Sequence, residues 1–116
     1  MSGFGLKATV ADIDGKISKQ DDRYVVTDKK IGKRLVLSST RLNPQCKTNG
    51  HDHKTQDEVY MFVEGTGVIE VGSKIFEVQA GDIVTIEAGE FHRVHNTDKL
   101  KEMYFICVFN GKREKT

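Results

Sequence analysis

The chain has 116 residues, 18 Lys plus Arg against 17 Asp plus Glu, and a formal charge of +1, which fits one domain with a modest core. A near-balanced charge with no run of like charges leaves nucleic acid without an electrostatic footprint, so no nucleic-acid partner is expected. Two cysteines are too few for a disulfide framework, and the longest apolar run, Met103 to Phe109, is far too short to span a bilayer. The opening "MSGFGLKATV" has no basic stretch followed by an apolar one, so no membrane association is expected and a cytoplasmic location is.

Taken in chain order, "RYVVT" (23–27), "RLVLSSTRL" (34–42), "EVYMFVE" (58–64), "GVIEV" (67–71), "KIFEV" (74–78), "DIVTIE" (82–87), "FHRVHN" (91–96) and "EMYFICVF" (102–109) predict eight strands. Each is short and rich in Val, Ile, Phe, Tyr and Thr. Turn signals separate them: "NPQ", "EGTG", "GSK", "AGD", "AGE" and "NTDK". No window carries a helical stripe of ten residues. The expected class is all-β, an antiparallel sandwich or barrel. The expected organisation is an N-terminal segment (1–33) packing on the barrel, the barrel itself (34–110) and a tail (111–116), with the extreme ends "MSGFG" and "NGKREKT" peripheral.

One stretch does not follow from packing: "GHDHKTQDEVYMFVEGTG", residues 50–67. Residues two apart on a strand share a face, so His51 and His53 should project side by side. Glu58, opening the next strand, can return to meet them if "KTQD" turns the chain, and "AGEFHRVHN" offers a third imidazole at His92. Three imidazoles and a carboxylate make an open divalent-metal site, and the mixed nitrogen and oxygen set does not distinguish Mn, Fe, Zn, Ni, Co or Cu. On its own an HxH pair is more often a solvated one. Cys46 lies five residues before His51 but completes no closed zinc pattern, and Cys107 reads as a buried, inert thiol.

The surrounding residues add a family. From His51 the chain runs H-D-H, four residues, Glu58, six residues, Gly65; then Gly81, Gly89, His92 and Asn96 fall at the spacings of a second motif. This resembles the cupin superfamily, whose motifs read G-x5-H-x-H-x3,4-E-x6-G and G-x5-P-x-G-x2-H-x3-N. Fifteen residues separate Gly65 from Gly81, as in small one-domain cupins. Two positions depart: Gln45 stands where the first motif has glycine, and Glu87 where the second has proline. The resemblance implies a double-stranded β-helix, or jelly roll, with one divalent metal at His51, His53, Glu58 and His92.

By strand parity Tyr60 and Phe62 line the pocket with Glu58, Tyr60 as the candidate acid–base residue and Phe62 as filler. Asn96 shares a face with His92, whereas His95 faces away. The stretch also resembles the mannose-6-phosphate isomerase-like and archaeal glucose-6-phosphate isomerase-like cupins. That implies a small-molecule substrate, such as a sugar or sugar phosphate, and isomerase-type Lewis-acid chemistry. The alternatives are an Fe(II)-dependent dioxygenase and a non-catalytic binding module. A sugar phosphate needs a basic clamp, for which Arg34, Arg41 and Lys47 are the candidates. Exposed sheet edges predict a homodimer, with the segment up to about Val26 as their cover.

Overall fold

The computed structural model describes residues 7–111; the expected peripheral ends, "MSGFG" and all of the tail but Gly111, lie outside the described residues. Nine strands form: β1 Lys16–Gln20, β2 Tyr24–Ile31, β3 Leu35–Leu42, β4 Glu58–Glu64, β5 Thr66–Val71, β6 Lys74–Gln79, β7 Ile83–Ile86, β8 His92–Asn96 and β9 Met103–Asn110. Among the described residues there is no helix. The eight expected strands are all present. The ninth, β1, reads "KISKQ", a mostly exposed edge strand with a single apolar residue, too little to register as a strand pattern. β2 also runs past Thr27 through "DKKI", because the whole of it is paired with β3, from Tyr24↔Leu42 to Ile31↔Leu35.

The strands build a six-stranded sheet, β1-β2-β3-β9-β4-β7, and a three-stranded sheet, β6-β5-β8, all neighbours antiparallel. This is the double-stranded β-helix of a jelly roll. Alternation decides what lies inside. Along β4, Glu58, Tyr60 and Phe62 are buried while Val59 and Met61 are exposed; along β8, His92, Val94 and Asn96 are buried. The core joins Leu42, Phe62, Ile69, Val94, Met103 and Phe105 between the sheets. Each such side chain contributes roughly 1.5–3 kcal/mol by leaving water. On the outer face of the large sheet, Ile13 packs with Tyr104 and Ile106, and the Tyr104 hydroxyl donates to the Val10 carbonyl at 2.7 Å.

The two motif departures have separate outcomes. Gln45 has φ +60°, the left-handed conformation that the motif's glycine would adopt without strain. A non-glycine residue there costs about 1–2 kcal/mol, partly offset by the greater chain entropy that glycine loses on folding. Gln45→Gly should therefore stabilise the protein by about 0.5–1 kcal/mol, read as a higher urea midpoint at unchanged m-value; an unchanged midpoint refutes this. Glu87 replaces the motif proline and uses what proline lacks: its N–H donates to the Glu90 carboxylate at 2.9 Å.

Candidate metal centre

Residues 50–57 do not form a strand. Only His51 pairs, bridging to His92 through backbone bonds of 3.0 and 3.3 Å, while His53 anchors the loop through its carbonyl, which accepts from Gly89 N at 2.7 Å. The chain is still extended enough to alternate. Asp52 is exposed and His53 buried, so both imidazoles turn inward as strand parity predicts. Their ring centroids lie 4.5 Å apart, and His92 lies 4.7 Å from His51 and 5.7 Å from His53. One ligand atom from each of the three histidines falls within 4.8 Å of the others. Three histidines from two distant stretches are thus positioned to hold a metal ion.

Glu58 stands beside this group rather than within it, its Oε2 lying 2.7 Å from His92 Nε2. Both side chains are about 95 % or more buried. The two atoms are at ion-pair distance, and neither has a hydrogen-bond partner of regular geometry. The reason lies on the other side of the ring. His92 Nδ1 is 3.1 Å from the Glu90 carbonyl, which can only accept, so Nδ1 carries the proton and Nε2 presents a lone pair. Two buried acceptors that face each other are satisfied by a shared proton or by a metal ion that both ligate. His51 Nδ1 is likewise buried without a partner.

Burial and the Glu58 carboxylate set the electrostatics. Burial works against charge on His92, yet the Glu58 carboxylate outweighs it and raises the His92 pKa above its ordinary value. Burial would by itself raise Glu58, but the contact with His92 and the nearby imidazoles hold it below the usual value. His51 is pushed down to about 4, first by burial and then by repulsion from His92 and His53, so it is neutral and ready to bind across the physiological range. The nitrogen and oxygen donors, the orphaned atoms and the fixed tautomer together fit a divalent ion.

A cavity of about 50 Å³ opens beside the histidines, lined by His51, Glu58, Tyr60, Phe105, Cys107 and residues of β1 to β3. Tyr60 is buried, stacked on Phe105 at 5.4 Å and edge-on to His92 at 5.8 Å. Phe62 is core filler, 1 % exposed. Cys107 is buried as expected but stands within the site, its Sγ 3.7 Å from Glu58 Oε1. Cys46 packs against the core and is not part of the three-histidine group.

Asn96 is structural, its amide donating to the carbonyls of Leu42, Asn43 and Lys101 at 2.9–3.2 Å. His95 faces out and meets Glu70 at 2.6 Å. None of the three cations expected for a phosphate clamp lines the cavity. Arg41 lies over the Tyr104 ring and pairs with Glu102, Lys47 is exposed and joined to His95 by backbone pairing alone, and Arg34 is exposed. Among the described residues, the cation that does line it is Lys19. Sequence reading missed it because its strand, β1, carries almost no apolar signal.

Comparison with known proteins places this geometry. The profile of the cupin domain family matches residues 39–109. An oxalate-binding protein from Thermotoga maritima is 29% identical over 76 residues, covering 66% of this chain and 62% of that protein. This chain spans less than two thirds of the length of the curated relatives it matches. Among solved structures, KdgF from Halomonas superposes with a TM-score of 0.74 at 13% identity, covering 84% of this chain and 89% of that one. A cupin-2 domain from Rhodospirillum rubrum gives 0.74 at 20% identity, covering 88% and 72%. No described helix is long and apolar enough to cross a membrane. With both motifs meeting at one buried centre and the family profile matching well over half of its length, the chain belongs to the cupin domain family.

Proposed function

We propose that this cupin holds one divalent metal ion through His51, His53, Glu58 and His92 and uses it to bind and polarise a small polar metabolite. The observation that carries this reading is the three-histidine group, one ligand atom from each within 4.8 Å of the others, with the buried Glu58 carboxylate 2.7 Å from His92 beside it. A divalent ion bound there supplies Lewis acidity toward carbonyl or hydroxyl oxygens. The chain's own residues do the rest. The Glu90 carbonyl holds the His92 tautomer, Tyr60 and Phe105 exclude bulk water, and Tyr60 is the candidate for moving a proton.

The size of the cavity bears on the substrate. A cavity of about 150 Å³ is filled by a single six-carbon ring. At about 50 Å³, this one suits a much smaller molecule than a hexose phosphate. Isomerase-type chemistry on a short hydroxy- or oxo-compound is the reading we favour. Binding without turnover is the second reading, and the similarity to a protein named for binding oxalate supports it.

Metal analysis of protein purified without a histidine tag tests the foundation, with one divalent ion per chain expected. Failure to retain any divalent ion after reconstitution overturns it. Turnover in the absence of O₂ then separates isomerisation from the dioxygenase alternative. Two copies are proposed to pair, since Val59, Met61, Ile83 and Val108 expose apolar surface on neighbouring strands of the large sheet. Sedimentation at tens of micromolar should report twice the mass of one chain; a single-chain species alone sinks that idea.

A further inference from the structure

The stretch that carries His51 and His53 follows β8 out of step. Lys47 pairs with His95 and His51 with His92, so four steps along one stretch are matched by three along the other. One residue between Lys47 and His51 is therefore extra, as in a β-bulge, which re-aims the side chains beyond it. Parity gives the effect. Lys47 is exposed, opposite the outward-facing His95. Counted by twos from Lys47, the residues Asn49, His51 and His53 would all face outward in a regular ladder. The extra residue reverses this. His51 comes to stand inward opposite the buried His92, and His53, two residues on, is buried as well. The spacing of the HxH pair puts two imidazoles on one face, and the extra residue makes that face the inner one.

Each of the three residues within the step is fastened from outside the metal group. The Thr48 N–H donates to the Val94 carbonyl at 2.9 Å, and the Thr48 hydroxyl accepts from the Val94 N–H at 3.0 Å. The Asn49 amide oxygen accepts from Arg23 Nη1 at 2.7 Å, and Arg23 is itself fixed by Asp21 at 2.7 Å in the turn between β1 and β2. Gly50 is required for space, since a β-carbon there would run into the Phe91 ring. Gly50 precedes His51 and Phe91 precedes His92, so this contact adjoins the paired histidines in both stretches. None of Arg23, Thr48, Asn49, Gly50 and Phe91 belongs to the apolar core.

We infer that Thr48, Asn49 and Gly50, fastened by Val94, Arg23 and Phe91, are positioning residues that hold the HxH pair in its inward phase and so set the affinity of the centre for its metal. This rests on the metal reading above and goes beyond the four ligands.

The test uses the full chain and two measurements. Co(II) affinity is read by competition with a chromophoric chelator. The reaction of each histidine with diethyl pyrocarbonate is read on the metal-free chain at one pH by peptide mass mapping, with outward-facing His95 as the control. Circular dichroism checks the fold of every variant. Thr48→Val and Gly50→Ala are each expected to lower Co(II) affinity roughly ten- to hundredfold, the usual cost of losing a group that orients a ligand. Both should speed the modification of His53 and leave that of His95 unchanged. Thr48→Ser keeps the hydroxyl and should retain most of the affinity, an outcome that loss of packing alone does not give. Gly50→Ala should cost far less in a Phe91→Ala background, where the space is empty; an equal cost in both backgrounds overturns the Phe91 contact as part of the device. Parent-like affinity and parent-like protection of His53 in Thr48→Val and Gly50→Ala overturn the inference and leave the metal reading standing. A parent that binds no Co(II) overturns the metal reading, and the modification of His53 then decides the phase by itself: faster in the variants upholds it, unchanged overturns it.

Discussion

Replacing His51 and His92 together by alanine is expected to abolish metal binding while the barrel stays folded. The two residues supply two of the three clustered imidazoles, and neither belongs to the apolar core that joins the sheets. Structural zinc sites with four ligands are worth about 10–16 kcal/mol, so each ligand contributes about 3 kcal/mol, a factor of a hundred or more. Losing two leaves no stoichiometric binding at micromolar metal. Metal analysis beside far-ultraviolet circular dichroism decides it: full stoichiometry in the double variant refutes the ligand assignment.

The parent should also release its metal in acid, and the sign can be worked out. An imidazole binds metal only when deprotonated. The His92 pKa is raised, chiefly by Glu58 against the opposing effect of burial, so protons compete from a higher pH than at an ordinary imidazole. Affinity should be full at mildly alkaline pH and start to fall above the usual histidine value near 6.5, continuing downward as acid is added. His51, held down to about 4, adds no competition until far lower pH. A metal affinity that is flat between pH 8 and 5 contradicts this.

Tyr60→Phe should keep the metal and the fold but lose roughly a hundred- to ten-thousandfold in turnover, the usual cost of removing a general acid or base. The four proposed ligands are committed to the ion, so proton transfer falls to another group on the inner face. Tyr60 lies on the same face of β4 as Glu58, with its ring edge-on to His92. The substitution leaves the ring, so the stacking on Phe105 is retained and only the hydroxyl is tested. Compared at equal metal occupancy, a variant that reacts at nearly the parent rate makes Tyr60 a packing residue.

Most of the barrel could be read from the residues because period-two alternation is written locally. "EVYMFVE" buries Glu58, Tyr60 and Phe62 as its pattern requires, and "FHRVHN" buries His92 and Asn96 while turning His95 out. The metal-ligand candidates were legible for the same reason, since their spacing along the chain is what the two motifs record. Gln45 shows a subtler case: the departure from glycine was visible, but that the backbone keeps the left-handed conformation regardless appears only in the fold.

What the sequence determined by itself was therefore the set of strands with strong alternation, the family, and the three histidines that cluster with Glu58 beside them. The tertiary structure alone decided how those side chains face one another and which other charges they meet. The 2.7 Å approach of Glu58 to His92 depends on β4 and β8 standing in opposite sheets, a distance no local pattern encodes. Cys107 looked like inert filler until β9, paired with β4, set its sulfur beside Glu58. Arg34, Arg41 and Lys47 were nearer in sequence to the histidines, but each took a partner or a place outside the cavity. Lys19 entered because one extra residue in an edge strand reversed its face, and a bulge is a property of the pairing between two strands rather than of either one.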